Sequence, residues 1–443
     1  MQERINELFE MKNYIELKKY LADLEPEDVA IYFNNDLNDE EILIAFRLLS
    51  KDVAAEVFVE IDSDLQEKLI NLFTDKELKE VLDEIFLDDT VDLIEEMPAN
   101  VVKRILKNIT AKDRKLVNEL LKYSEDSAGS IMTPEYIDFK ENMTILEAFE
   151  KIRRVGEDKE NIYTGYVLTK TRKLLGKVDV KDMILADEEQ NIKEIMDDNI
   201  ITITTTDDRE EAAKKFDKYD EIVLPVVDTE NRLVGIITVD DAIDVMQEEV
   251  EADFEMMAAV TPSEETYFKT KVVSHAKNRI LWLLLLMISS TITGAIITHY
   301  EAAFAALPLL VSFIPMIMGT GGNCGSQAST LIIRGLAMDE IKSKDILKVI
   351  WKEFRVSILV GIILAIVNGI RIMIQYGDLS MSIIVGITLI LTAVLAKLIG
   401  CILPIAAKKV NLDPAIMAAP IITTIVDSCS VFVFFNIAML FIM

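Results

Sequence analysis

The sequence predicts a multidomain membrane protein: an α-helical, superhelical N-terminal domain, two tandem α/β units, a connecting helix and a five-helix transmembrane domain. Three observations predict it. Charge divides the 443 residues unevenly: residues 276–443 hold 12 Lys and Arg against 8 Asp and Glu, a net +4, which leaves 34 against 67, a net −33, for residues 1–275. Part of the acidic region repeats itself at an offset of 64 residues. The rest of the chain consists of apolar runs long enough to cross a bilayer, which takes about 20 residues each. A chain of this length also exceeds the usual span of one hydrophobic core.

The acidic excess argues against nucleic acid or anionic lipid as a partner of residues 1–275 and favours attraction of cations. Cys324, Cys401 and Cys429 lie in apolar segments without metal-ligand spacing, so neither a disulfide framework nor a zinc site is expected. His275 and His299 are the two histidines, too few for a histidine-based transition-metal site or acid-base centre, so any metal should be a hard one. The charged, amphipathic start MQERINELFEMKNY is not a secretory signal, and the soluble part is expected in the cytosol.

Residues 1–123 read as short helices opened by caps at Asn38-x-x-Glu41, Ser63-x-x-Gln66, Thr74-x-x-Glu77 and Thr110-x-x-Asp113. Helices at this spacing form stacked arrays, which bind something or act as spacers. Next come residues 131–192 and 193–249, where IMTPEYIDFKENMTILEAFEKI matches IMDDNIITITTTDDREEAAKKF, with Ala148 on Ala212. GKVDVKDMI from Gly176 matches GIITVDDAI from Gly235, each after a β-like run (TGYVLT, EIVLPVVD) and before a helix. This alternation resembles a tandem pair of CBS domains, modules that sense adenine nucleotides or cations. Thr238 and Asp241 occupy the nucleotide-contacting Thr-x-x-Asp of the resembling family, which implies ATP as a ligand at one site. The first copy carries Asp179 in place of the Thr, and an acid there repels phosphate.

From residue 233 to 268 ten acids occur without a Lys or Arg. Asp241, Asp244, Glu248, Glu251 and Glu255 recur at three or four residues as one acidic helix stripe, with Asp240 beside it, while Ile243, Met246 and Val250 form an apolar one. Like charges so spaced destabilise a helix by about 0.2–0.5 kcal/mol per pair. Divalent ions bridging the stripe to LDDTVDLIEEMP, where Asp88 and Asp92 share a helix face and Asp89, Glu95 and Glu96 crowd nearby, would reverse the penalty. Solvated acidic faces without a specific ion are the alternative. Residues 250–275 are expected to form the connecting helix.

Five spans can be drawn near 280–299, 303–333, 354–375, 380–406 and 414–442. Lys277 and Arg279, the six Lys and Arg from Arg334 to Arg355, and Lys408 with Lys409 put the N-terminus inside and the C-terminus outside the cell membrane. Asp427 lies near the middle of the last span, where a carboxylate costs roughly 2.5–3.5 kcal/mol on insertion scales. It needs a partner or water. Pro420, Thr423, Thr424, Ser428 and Ser430 offer polar groups and freed carbonyls; pairing with a lysine such as Lys397 is the alternative. The second span contains GTGGNCGSQAST, whose glycines predict either non-helical backbone lining a cavity with carbonyls facing an ion, or a close helix contact through small residues, or both. One acid per chain plus carbonyls suits hydrated Mg2+ better than Ca2+, and a homodimer would set two copies of Asp427 on one axis.

GTGGNCGSQASTLIIRGLA at 319–337 and Pro420-x-x-Thr423-x-x-x-Asp427 resemble the signature segments of MgtE-type magnesium channels, and the resemblance covers the whole chain. It implies a homodimeric Mg2+ channel with Asp427 as pore ligand and Gly321, Gly322, Asn323, Gly325 and Thr423 as pore lining. It also implies that Mg2+ held by Asp88, Asp92, Asp240, Asp244, Glu248, Glu251 and Glu255 closes the pore through a plug helix. A membrane-anchored cation or nucleotide receptor is the reading from another class. An enzyme is disfavoured, since no P-loop, nucleophile-base pair or metal-hydrolase motif occurs.

Overall fold

Short amphipathic helices open the chain because caps and turns interrupt the apolar pattern every eight to eleven residues. The computed structural model describes residues 2–36, 39–263, 267–268, 270–300, 308–338, 340–417 and 419–442. It divides into two compact units, Met1–Met246 and Gln247–Met443. The first unit begins with α1 (Gln2–Glu10), α2 (Tyr14–Leu21), α3 (Pro26–Asp36), α4 (Asp39–Phe46), α5 (Lys51–Glu60), α6 (Ser63–Leu72), α7 (Asp75–Leu82), α8 (Leu87–Glu96), α9 (Ala99–Asn108) and α10 (Ala111–Leu120). Helix α3 packs on α5, α5 on α7, α7 on α9 and α8 on α10, the next-but-one stacking of a superhelix.

Thr74 forms a capping box with Glu77, and the Thr110 side chain accepts from the Asp113 amide. The box expected at Ser63 is displaced: Ser63 is already helical behind Asp62, and Gln66 is buried, donating Nε2 to the Phe58 carbonyl at 2.8 Å. A core contact outcompetes the local cap there. The cap expected at Asn38 lies outside the described residues.

The repeat folds twice in the same way. Strand β1 (Tyr136–Lys140), α11 (Ile145–Val155), β2 (Asn161–Leu168), β3 (Leu174–Asp179) and α12 (Val180–Leu185) form the first copy. After α13 (Ile192–Ile195), β4 (Ile203–Thr204), α14 (Arg209–Tyr219), β5 (Val223–Val227) and β6 (Leu233–Thr238) form the second. In each, the first strand pairs parallel to the second and the second antiparallel to the third. Tyr136, Tyr166, Leu168 and Leu174 of one sheet pack with Val223, Val227, Leu233 and Ile236 of the other. The β2–β3 and β5–β6 turns place Arg172 and Asn231 at equivalent positive φ of 64° and 62°. The helical domain shares its core with the second copy, from Ile5 through Ile237 to Val245.

Helix α15 (Val239–Met257) follows β6 directly. The connecting helix expected over 250–275 is therefore corrected: it starts eleven residues earlier, capped by the β6 turn, and ends where Ala259 turns to φ 55°. The described residues from 258 to 271 are not helical.

The second unit holds α16 (Val272–His299), α17 (Ile314–Ala337), α18 (Ile346–Tyr376), α19 (Leu379–Lys409) and α20 (Ala419–Ile442). Segments 272–299, 346–376, 379–409 and 414–441 are long and apolar enough to cross a membrane. Helix α17, with 24 residues, is about 36 Å long and also matches the hydrocarbon thickness, although its Gly, Asn, Ser, Gln and Thr content lowers its hydropathy. The helices run past the drawn spans because helix propagation continues into charged turns once hydrogen bonding is established.

Candidate ion sites

Helix α17 is unbroken through GTGGNCGSQAST. The expectation of freed carbonyls in this segment is corrected: its carbonyls belong to the helical ladder, and its glycines act as small contacts. A Cβ on Gly321 would lie 2.7 Å from Ser430 Oγ and 2.8 Å from Thr392 Cγ2; one on Gly325 would lie 2.7 Å from Ile422 Cγ2. A Cβ on Gly400 of α19 would run into the Gly325 carbonyl oxygen, so the two helices meet backbone to backbone. This closeness offsets the roughly 1 kcal/mol that a mid-helix glycine costs.

Gly322 faces α20: its Cβ would stand 3.0 Å from Thr423 Cγ2 and 3.8 Å from Asp427 Oδ1. Gly321, Gly322, Gly325, Thr423 and Asp427 therefore share one interhelical seam, and Asn323 is exposed beside it. The Pro420 carbonyl accepts hydrogen bonds from two hydroxyls, Thr423 Oγ1 at 2.9 Å and Thr424 Oγ1 at 2.8 Å. Ser428 bonds Thr293 of α16 at 2.7 Å.

Asp427 is half-buried, and no ion pair to it occurs among the described residues. Lys397, its candidate partner, is taken: Nζ lies 3.7 Å from Glu353 Oε2 on α18, and both residues are buried, at 4% and 8% exposure. The sequence held no sign of this pairing, because the two residues sit on different helices.

In the first unit, α8 brings Asp88 and Asp89 toward the opening of α15. Asp88 is 9% exposed, and its Oδ1 has no hydrogen-bond partner; nor has the buried Oε2 of Glu160, which precedes β2. Burial, with Asp89, Asp241 and Glu160 adding their charge, holds the Asp88 carboxyl well above the usual carboxylate range. Burial followed by Asp241 and Glu60 pushes Asp89 to about 7, and burial followed by Asp241 and Asp89 pushes Glu160 to about 8. Asp92 is open to solvent on one side, yet the protein around it and the charges of Asp89 and Asp241 raise it to about 7. Glu135 accepts from the Leu87 amide at 3.0 Å, and burial raises it as well.

Asp241 is raised to about 6 by burial against the lowering effect of its hydrogen bond from Thr238. Both the amide and the hydroxyl of Thr238 donate to Asp241, so this pair caps α15. Asp240 and Asp244 lie on the same first turns, and Asp244 is raised by burial and by Asp240. Glu248, Glu251 and Glu255 follow along α15 within the second unit, where Glu255 accepts from the Ser263 amide at 3.0 Å. Glu60, Glu135 and Glu160 were missed by sequence reasoning; they come from three separate segments, and only folding assembles them. No three acidic, His or Cys side chains are close enough to chelate a bare ion among the described residues. The orphaned oxygens of Asp88 and Glu160 fit a cation that keeps part of its water shell, as Mg2+ does.

Family models for the MgtE intracellular N domain, the CBS domain and the MgtE divalent cation transporter match residues 24–126, residues 128–189 and 192–248, and residues 314–437. A magnesium transporter MgtE of Bacillus subtilis is 32% identical over 427 residues, 96% of this chain and 94% of that one. Its counterpart from Thermus thermophilus is 33% identical over 428 residues, again 96% and 94%. The chain belongs to the MgtE family. A crystal structure of the cytosolic domain of the Mg2+ channel MgtE in complex with ATP, 34% identical, superposes with a TM-score of 0.53 over 55% of this chain and all of that one. The soluble part of a magnesium transporter, 25% identical, gives 0.52 over 56% and 97%. The helical domain, the tandem CBS domains and the apolar helices thus form a multi-pass MgtE membrane protein.

Proposed function

We propose that this MgtE protein mediates Mg2+ uptake across the cell membrane as a homodimeric channel, with its N-terminus in the cytosol and its C-terminus outside. The observation that carries the reading is Asp427: a half-buried acid in a membrane helix whose candidate partner, Lys397, is committed to Glu353. An acid without a fixed cation at such depth is stable only beside water or a passing cation. Two copies on a symmetry axis would neutralise one divalent ion that keeps its inner waters, with Thr423, Asn323 and Gly322 beside it and the close contacts of Gly321 and Gly325 fixing the helices that line the path.

Cytosolic Mg2+ closes the pore. Asp88, Asp92, Asp240 and Asp244, joined by Asp89, Asp241 and Glu160, repel one another when ionised, and Mg2+ among them favours the docked arrangement of α8 and α15. The ion shifts the equilibrium because it binds that arrangement more tightly than the separated one. Glu248, Glu251 and Glu255 extend the acidic surface along α15, the plug. Thr238 and Asp241 would take ATP only as its Mg2+ complex, because the carboxylates around Asp241 repel free phosphate. The ATP-bound relative supports nucleotide modulation.

The test is Mg2+ uptake into proteoliposomes with and without Asp427→Ala, while Mg2+ is varied on the face bearing residues 1–246. Uptake should require Asp427 and fall as Mg2+ on that face rises. Uptake indifferent to both would favour a membrane-anchored receptor.

A further inference from the structure

Besides the half-buried Asp427, two charges are fully buried among the described membrane helices, and they form a pair that the proposed conduction does not use. Glu353 lies on the second turn of α18 and Lys397 in the middle of α19. Their side chains are 11% and 6% exposed, the Nζ–Oε2 separation is 3.7 Å, and Glu353 Oε2 accepts no hydrogen bond. A contact of that length holds charge against charge without the directed bonding that makes a buried pair strongly stabilising. Hydrophobic residues of similar volume would serve packing at least as well, so packing alone does not account for Glu353 opposite Lys397.

The pair stands directly behind α17. Ala393, Ala396, Lys397 and Gly400 recur on one face of α19 at helical spacing, and that face carries the closest helix contact in the unit: the Ala396 carbonyl against Gly325, and Gly400 against the Gly325 carbonyl. Cys324, next to Asn323, lies within electrostatic reach of Lys397, and Cys401, one turn further along α19, within reach of Glu353. Lys397 is therefore about one helix spacing, on the order of 10 Å, from the Asp427 seam. At that separation in a protein interior, an uncompensated positive charge lowers the occupancy of a monovalent cation about tenfold, and that of a divalent cation by the square of that factor, about a hundredfold.

We propose that Glu353 is the counter-charge that silences Lys397 behind the pore helix, making it a selectivity-determining residue for divalent conduction although it does not touch the ion. The inference rests on the reading of Asp427 as the pore ligand. It assigns the buried pair no net charge, which leaves only the weak field of a dipole at the seam, so that the single acid of each chain acts on the passing ion with little opposition. Because the energy scales with the charge of the ion, loss of Glu353 penalises Mg2+ more than K+, which a loss of packing alone would not do.

The test uses the full-length protein in proteoliposomes, with uptake measured against Mg2+ and against K+. Glu353→Gln should raise the half-saturating Mg2+ at least tenfold and lower the Mg2+ to K+ uptake ratio about tenfold. The double variant Glu353→Gln with Lys397→Met should restore both, as should the charge swap Glu353→Lys with Lys397→Glu, which keeps the pair if the single variant does not fold. Half-saturation within twofold of the parent in Glu353→Gln, or a folded double variant or swap that stays impaired, would overturn the proposal. Asp427→Ala, run alongside, separates the two levels. If it conducts like the parent, the pore reading fails; if it is silent while Glu353→Gln is normal, only the counter-charge inference fails.

Discussion

The two compact units handle buried negative charge in opposite ways. The first crowds many carboxylates together and leaves oxygens of Asp88 and Glu160 without partners, so several protons are retained near neutral pH. The second places one acid at the Gly322–Thr423 seam and neutralises its other buried acid with Lys397. A sensor has to hold an ion long enough to shift an equilibrium, which favours many ligands and a strong response. A conduit has to release it, which favours one ligand per chain and retained water. The same chemistry, carboxylate with Mg2+, serves residence in one unit and passage in the other.

The comparison breaks first at Asp427. Asp427→Asn keeps shape and removes charge, and uptake should fall by on the order of a hundredfold, about 3 kcal/mol, at unchanged protein yield; a loss under threefold in a flux assay would remove the seam from the conduction path. Next comes the scaffold of that seam. Gly400→Ala drives a methyl into the Gly325 carbonyl and should destabilise the second unit by about 1–3 kcal/mol, seen as a lower melting temperature in detergent. Gly319→Ala, with open space around it, should instead be neutral or stabilising by up to about 1 kcal/mol.

The sensor side is sharpened by pH. Asp89 and Glu160 have folded values of about 7 and 8, above ordinary carboxylate values of 3.8 and 4.5. Groups raised in this way contribute stability below the unfolded value and lose it as pH rises through the folded one. Without Mg2+, thermal stability of the first unit should therefore decline from pH 4 to pH 8, and millimolar Mg2+ should flatten that decline. Asp89→Asn should raise the Mg2+-free stability at pH 8 by about 1–2 kcal/mol after solvent screening and weaken the response to Mg2+; a flat profile in the parent would show that the carboxylates do not feel one another. The smallest effect belongs to the framework: Thr74→Ala, which opens the capping box on α7, should cost about 1 kcal/mol by chemical denaturation and leave Mg2+ responses untouched.

Local pattern made much of this legible. Amphipathic spacing and caps marked the short helices, the repeat with Ala148 on Ala212 marked two equal folds, and uninterrupted hydropathy marked the membrane segments. Asp427 stood out because an acid is rare in such a run. What stayed hidden depends on contacts between distant segments. Lys397 was visible, but its partner on the neighbouring helix was not. Glu135 and Glu160 belong to no sequence pattern, and only the fold of β1 and β2 brings them beside α8. GTGGNCGSQAST left open a broken backbone or a close small-residue contact, and the unbroken helix packed on Gly400 shows the second.

Helix α16 sets a contrast with that tight contact. Along its 28 residues Thr293 is the buried one, and its side chain reaches Ser428 through a pair of hydroxyls. Helices that interlock through glycines move as one slab, since sliding them would drive atoms through one another. Helix α16 is held by this pair and by Ile296, Ile297 and Tyr300, which pack on the core around Phe434 and Phe435, and the hydroxyl pair sits one residue from Asp427. A shift of α16 at that pair would disturb the seam while leaving the wall behind it in place, and a crosslink between positions 293 and 428 would arrest it without touching the acid itself.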